Sequence, residues 1–143
     1  MSVFFIVWGK PQGKARARTF YNKNAGRVTS MTPEKTVLYE NYIKSCYMQA
    51  KKEIDSSWFN KEPLKVEITA YYEIPKSTTK KAKEQMLRGI IFPTKKVDAD
   101  NLAKVVCDAL NTVAYGDDAQ IVELIVHKVY GEMPRVEVKI EEV

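Results

Sequence analysis

Leu64, Val66, Ile68, Ala70, Tyr72 and Ile74 alternate strictly with more polar neighbours across residues 64–74. Successive side chains of an extended chain point to opposite faces, so this run belongs in a sheet with one face buried and the other wet. As a helix it would scatter its apolar residues around the whole circumference. As a strand buried on both faces it would read as a continuous apolar run. Shorter signals supply companions: an apolar run over residues 3–8 that ends at Gly9, a strand over 120–130, and the alternating Val136, Val138 and Ile140. The turn residues at 131–134 predict that the last two strands form a hairpin.

Helices are expected between these strands. Thr32-Pro33-Glu34 gives a hydroxyl N-cap, a proline at the first helical position and an acid in the first turn. Tyr39, Ile43, Cys46, Ala50 and Ile54 then recur at helical spacing, so this helix is expected to reach about Ile54. Ser77 is placed to cap a short, very basic helix carrying Lys80, Lys81, Lys83 and Arg88, which Gly89 ends. A third helix over 100–111 presents Leu102, Val105, Val106, Ala109 and Leu110 as one stripe. Residues 21–26 read as a loop tip between two short strands. This order predicts one compact α+β domain over residues 1–143, with a mixed sheet and about three helices.

The 143-residue chain is 45% hydrophobic and 29% charged, enough for one core. Its longest apolar run, residues 3–8, is too short to cross a bilayer, and no secretory signal is read at its start. Cys46 and Cys107 have no CxxC pairing and read as reduced thiols. A cytoplasmic protein without a membrane partner or small-molecule substrate is expected.

Charge divides the chain. Residues 1–96 hold 19 Lys and Arg against 8 Asp and Glu, whereas residues 97–143 hold 4 against 10. A basic body with an acidic segment suits a protein that grips a polyanion and holds a cation. The basic side is densest over residues 9–30, where Lys10, Lys14, Arg16, Arg18, Lys23 and Arg27 occur without an acid and with Phe20 and Tyr21 interleaved. Lys95 and Lys96 immediately precede the acidic segment. These eight cations are the candidate DNA contacts; a solvated surface would have the same composition.

The acids fall at Asp98, Asp100, Asp108, Asp117 and Asp118. If the chain is extended at Asp98, that residue and Asp100 share a side, and Asp100 can cap the helix. Asp100, Lys104 and Asp108 then follow at i, i+4 and i+8, opposite the apolar stripe. A returning strand would bring Asp118 beside Asp98 and Asp100. Such hard oxygen ligands are what Mg²⁺ or Mn²⁺ requires. The metal would activate water and neutralise charge in phosphodiester hydrolysis, and Lys104 could steady the phosphate or leaving oxygen. By spacing alone, an N-cap and an exposed acidic turn explain the same residues. His127, mid-strand, reads as an ordinary strand residue, and Glu67 and Glu73 share a strand face without joining the set.

Three blocks occur in order within residues 98–120: Asp98-Ala99-Asp100-Asn101-Leu102-Ala103-Lys104, Asp108-Ala109-Leu110-Asn111, and Asp117-Asp118-Ala119-Gln120. They resemble the DxDNLxK, DAL(N) and DDxQ signature of the RusA family of phage and prophage Holliday junction resolvases. The opening Gly9, Pro11, Lys14, Arg16 and Arg18 is similar to the GxPxxKxRxR start of related phage proteins, while Val97 stands where many relatives have proline. The resemblance implies a homodimeric, Mg²⁺-dependent endodeoxyribonuclease acting in recombination and repair, which nicks four-way DNA junctions symmetrically. It makes Asp98, Asp100 and Asp118 the metal-binding and catalytic acids and Lys104 the catalytic lysine. Two-fold symmetry in the substrate favours a dimer too, with Tyr39, Tyr42, Tyr47 and Trp58 offered as contact surface. The competing readings are a non-catalytic binder of branched or single-stranded DNA, and a metal-dependent nuclease of another substrate class.

Overall fold

A computed structural model describes residues 2–52 and 61–143. Among these residues the chain forms strands β1 (Ser2–Trp8), β2 (Arg18–Asn22) and β3 (Arg27–Met31), helix α1 (Glu34–Lys51), strand β4 (Leu64–Glu73), helices α2 (Lys80–Leu87) and α3 (Ala99–Leu110), and strands β5 (Ile121–Gly131) and β6 (Arg135–Glu142). A short 3₁₀ turn, Asp118–Gln120, leads into β5.

The alternating run is the inner strand its pattern demands. In a four-stranded sheet of order β1-β6-β4-β5, β4 pairs with β6 antiparallel and with β5 parallel. Leu64, Val66, Ile68, Ala70 and Tyr72 are buried, as are Val3, Phe5 and Val7 of β1 and Val136, Val138 and Ile140 of β6. Both α1 and α3 join the same core, through Tyr39, Ile43 and Tyr47 and through the five-residue apolar stripe of α3. Phe5 meets Tyr47 edge to face at 5.8 Å. The opposite sheet face stays wet and carries ion pairs such as Arg135–Glu137 and Lys65–Glu141. The expected α+β architecture, with three helices and a mixed sheet, is thus present.

One expected pairing is absent. β5 and β6 follow each other in sequence but form no hairpin, because β4 lies between them. Residues 132–134 therefore span two strand spacings, about 10 Å, which four Cα–Cα steps of roughly 3.8 Å cover easily. The link crosses Tyr71. A Cβ on Gly131 would sit 2.8 Å from Tyr71 Cδ1, and the Arg135 guanidinium faces the Tyr71 ring at 3.7 Å. What resembled a hairpin glycine is a close-approach glycine.

Helix starts also shift. α1 has Pro33 at its N-cap without a side-chain cap, and the Pro33 carbonyl accepts from Thr36 and Val37, so the Thr32 cap is not formed. Thr79, not Ser77, caps α2 by accepting from Ala82 N–H at 3.2 Å. Ile54 and Trp58 lie outside the described residues. Tyr39 and Tyr47 point into the core, which removes them from any contact surface, while Tyr42 is 42% exposed. Among the described residues β2 and β3 pair only with each other, leaving Phe20, Tyr21, Val28 and Met31 exposed on this hairpin. Cys46 and Cys107 are unpaired thiols.

Gly131 has no positive φ, so its requirement is one of space. With the Arg135 guanidinium already packed on the Tyr71 ring at 3.7 Å, the ring has little room to yield. Gly131→Ala is expected to cost about 1–3 kcal/mol, as overpacking does. Urea unfolding should show a lower midpoint at unchanged slope; an unmoved midpoint would mean the ring gives way freely.

Candidate functional site

The site begins where β4 ends. The Tyr72 hydroxyl accepts from Val97 N–H and donates to Val97 C=O, both at 3.1 Å, holding the residue before Asp98. On the other side of Val97 the basic loop packs so closely that a Cβ on Gly13 would run into Val97 Cγ1 and approach Asn101 Cβ. Lys14 N–H donates to Asn101 C=O at 3.2 Å, and Ala15 N–H to the buried Thr36 Oγ1 at 3.2 Å. These bonds fasten the loop after β1 to the starts of both α1 and α3. Val97, standing where the family pattern often has proline, is held by these partners.

α3 starts one residue earlier than expected. Asp98 is extended (φ −65°, ψ 148°) and occupies the N-cap position, its carbonyl accepting from Leu102 N–H at 3.0 Å. Ala99 is already helical, so Asp100 lies in the first turn instead of capping, and strand alternation does not relate the two acids. Asp98 makes no side-chain cap bond. Among the described residues neither Asp98 nor Asp100 forms a salt bridge. Both carboxylates stay exposed beside the positive end of the helix dipole.

Asp118 is presented by a separate frame. Its N–H donates to Asn111 Oδ1 at 3.1 Å. Gln120 Oε1 accepts from Gly116 and Asp117 N–H, at 2.8 and 3.1 Å, and its amide donates to Glu62 C=O at 3.1 Å. Asp117 completes a capping box by accepting from Ala119 N–H. The buried Tyr115 hydroxyl donates to Cys107 C=O at 2.8 Å, tying the turn to α3. Thus Asn111 and Gln120 of the sequence blocks are structural, and they hold the acid in place. The Asp118 carboxyl titrates above its usual range, first through its hydrogen bond with Asp117, then through desolvation and the charges of Asp117 and Asp108, against the opposing pull of Lys104. Asp117 is lowered, chiefly by the Ala119 N–H and the bond with Asp118.

Lys104 Nζ lies 3.9 Å from Asp108 Oδ2, and Lys14 Nζ approaches the same oxygen at 3.3 Å and Glu40 Oε1 at 3.1 Å. Burial alone would lower the Lys14 pKa, but its bonds and charge interactions with Glu40 and Asp108 outweigh this and leave it raised. Lys14, which its sequence position grouped with DNA contacts, is thus engaged with two carboxylates of the protein. Asp108, which sequence reasoning left out of the site, is the common partner of two lysines. Its position inside the second sequence block was the available signal; Tyr72 offered none beyond being the last buried residue of its strand.

A cavity of about 300 Å³ brings Lys104, Asp108 and Asp118 together with Cys107 and Leu124. Another, of about 520 Å³, places Asp98 beside Lys14, Arg16 and Lys96. Asp100 lines neither. Among the described residues no three Asp, Glu, His or Cys side chains are arranged to hold a metal ion together. The donor chemistry fits a hard divalent cation all the same: three carboxylates, of which Asp98 and Asp100 form no salt bridge among the described residues. Burial pushes the Cys107 thiol up to about 11, which removes it as a nucleophile at neutral pH. His127 and Glu67 face each other at 3.6 Å on the wet sheet face, away from α3. Lys10, Arg16, Lys95 and Lys96 border cavities next to the site, whereas Arg18, Lys23 and Arg27 lie exposed on the β2–β3 hairpin.

Comparison with known proteins places this site in context. A family model described as Endodeoxyribonuclease RusA matches residues 9–141. Uncharacterized protein YqaN of Bacillus subtilis (strain 168) is 38% identical over 141 residues, covering 97% of this chain and 95% of the relative. Crossover junction endodeoxyribonuclease rusA of Lactococcus phage r1t is 32% identical over 135 residues, covering 94% and 83%.

The acidic pair can be tested without metal. In a carboxyl NMR titration Asp118 should titrate above the ordinary aspartate range and Asp117 below it. Asp117→Asn keeps a competent cap but removes a negative charge and the shared proton, so the Asp118 pKa should fall. An unmoved Asp118 would assign its shift to Asp108 and burial instead.

Proposed function

This chain belongs to the RusA endodeoxyribonuclease family, and from that premise we propose that it resolves four-way DNA junctions by paired, Mg²⁺-dependent nicks in recombination and repair. The observation that carries the reading is the division of labour within the three sequence blocks. Asn111 and Gln120 spend their side chains on the frame, while Asp98 and Asp100 keep theirs free of salt bridges among the described residues.

In this reading Asp98, Asp100 and Asp118 would hold Mg²⁺, with Mn²⁺ able to substitute. When bound, the ion supplies an activated water and neutralises charge developing on the phosphate. The protein's own part is positioning. The exposed Lys104 ammonium, braced by Asp108 at 3.9 Å, is set to steady the phosphate or the leaving oxygen. It cannot ligate a cation, so its role separates from that of the acids. Asp108 and Lys14 act through Lys104 and the basic loop and are positioning residues. The Lactococcus phage relative is named for crossover junctions, which supports branched DNA as the substrate of this chain. Among the described residues no helix is long and apolar enough to cross a membrane, and the cytoplasm is where such a substrate occurs.

Paired nicks require two sites, because one domain with one set of acids makes one cut. We therefore infer a homodimer whose two-fold axis matches that of the junction.

Asp98→Asn, Asp100→Asn and Asp118→Asn should each abolish Mg²⁺-dependent nicking of a synthetic four-way junction while retaining junction binding in gel shift. Near-normal nicking by all three would remove the proposed site, and binding without cleavage by the wild type would favour a non-catalytic junction binder. Lys104→Ala should lower turnover by about 10²-fold, the scale of losing one electrostatic stabiliser, with a smaller change in the Mg²⁺ concentration required. Light scattering during gel filtration should give twice the 16.4 kDa chain mass. A monomer mass with and without junction, alongside efficient paired nicking, would defeat the dimer.

A further inference from the structure

Three cavities open in series along one side of the molecule. The first, of about 360 Å³, is lined by Lys10, Pro11, Tyr72, Ile74, Pro75 and Lys95. The second, of about 380 Å³, shares Lys10, Pro11 and Lys96 with the first and is bounded by Lys35 and Val97. The third, of about 520 Å³, shares Gly13, Lys96 and Val97 with the second and ends at Asp98 and Asn101. The shared lining residues set the three side by side, from the end of β4 to the first acid of the candidate site, and they are taken together as one groove.

Its charge is one-sided. Lys10, Arg16, Lys35, Lys76, Lys95 and Lys96 border it, and none of the six forms an ion pair among the described residues. Lys14 also borders it and is the groove cation that reaches carboxylates among the described residues, those of Glu40 and Asp108. Glu73 at the far end and Asp98 at the near end are the acids bordering the groove. Its floor is apolar, with Pro11 and Tyr72 buried and Ile74 and Val97 half-buried. The fold holds its shape rigidly, since Gly13 is pressed against Val97 and Tyr72 grips Val97 through two hydrogen bonds.

We propose that this groove holds one unpaired strand of DNA and leads it to Asp98, so that the favoured substrates are branched DNAs with unpaired nucleotides at the branch point. Unpaired cations lining a continuous path repel one another, and a chain of evenly spaced phosphates relieves that along its whole length. A small anion would fill one cavity and leave the others uncompensated. An apolar floor between cationic walls is how proteins accommodate the sugars and bases of a single strand while tracking its backbone. The proposal rests on the nuclease reading of the acids, because it takes the end at Asp98 as the destination of the strand.

The test is fluorescence anisotropy in EDTA with oligothymidine, a fully paired duplex, oligouridine, a fully paired four-way junction, and the same junction with a short single-stranded gap at its centre. Lys10→Ala/Lys76→Ala removes two groove cations. Lys65→Ala/Lys139→Ala removes two from the wet sheet face. Both should keep the thermal midpoint of the wild type, since all four side chains are at the surface. The groove variant should weaken oligothymidine binding at least tenfold and lower its log–log salt slope by about 1.4, roughly 0.7 for each single-strand phosphate that no longer meets a cation. It should also erase the preference for the gapped junction, while the sheet-face variant matches wild type. Equal effects of the two variants, a loss seen only with duplex, or tighter binding of oligouridine than oligothymidine would each overturn the assignment. If no branched DNA is cleaved with Mg²⁺ yet the oligothymidine results hold, the groove stands and the nuclease reading falls. If cleavage is normal and the groove variant binds every ligand as wild type does, the nuclease reading stands and the groove falls.

Discussion

Tyr72 is where the fold and the site meet. Its ring is buried at the end of the inner strand, and its hydroxyl accepts from and donates to the same residue, Val97. A buried phenol that satisfied only one of these backbone groups would leave the other to water or to strain. Because both are satisfied, the position of Asp98 is referred directly to the sheet. The basic loop then has no freedom to drift, since Gly13 lies against Val97 and Lys14 N–H bonds the first turn of α3. Acids and cations that are far apart in sequence are thereby set side by side by backbone contacts, not by their own attraction.

That distinction matters for the electrostatics. If Asp98 and Asp100 were held by salt bridges to the nearby lysines, those charges would be used up in holding the fold. Instead a separate group does the holding. Lys14 bridges Glu40 of α1 and Asp108 of α3 at 3.1 and 3.3 Å, and Asp108 in turn restrains Lys104. The exposed Lys104–Asp108 pair contributes little to stability, of order 0–1 kcal/mol, so its value lies in placement. Among the described residues the other cations bordering the groove and the two acids at the start of α3 form no salt bridge, which is a cost the fold tolerates by keeping them at the surface.

What the sequence made legible was periodic or local. The alternation over residues 64–74 placed β4 inside a half-wet sheet, and the stripe on α3 was correct in every residue, because both signals come from burial itself. The blocks from Asp98 to Gln120 were legible through resemblance. The failures share one cause, which is long-range contact. A Gly-x-x-Pro turn between two strands looks the same whether the strands pair with each other or with β4, and only the fit of Gly131 over Tyr71 decides it. Lys14 reads as one more cation in a basic loop until α1 and α3 bring Glu40 and Asp108 to it. Thr32 and Ser77 are good caps that lost to Pro33 and Thr79, by one residue in α1 and two in α2, which is the scale on which helix ends are decided by packing.

The same reasoning explains why the acids divide between two frames. Asp98 and Asp100 belong to the start of a helix whose position is set by the sheet, whereas Asp118 belongs to a 3₁₀ turn tied to α3 by Asn111 and Tyr115. Three carboxylates on one rigid element would repel one another continuously, and their mutual charge would raise their pKa values at the expense of cation affinity. Asp118 already shows this on a small scale, being raised by Asp117 and Asp108 and lowered by Lys104. Carrying the third acid on a separate turn lets the repulsion be set by loop geometry, and a cation arriving between the frames would remove it. In the proposed reading, the two-frame arrangement would favour a cation over the protein's own lysines, because Lys104 pairs with Asp108 and Lys14 is engaged with Glu40.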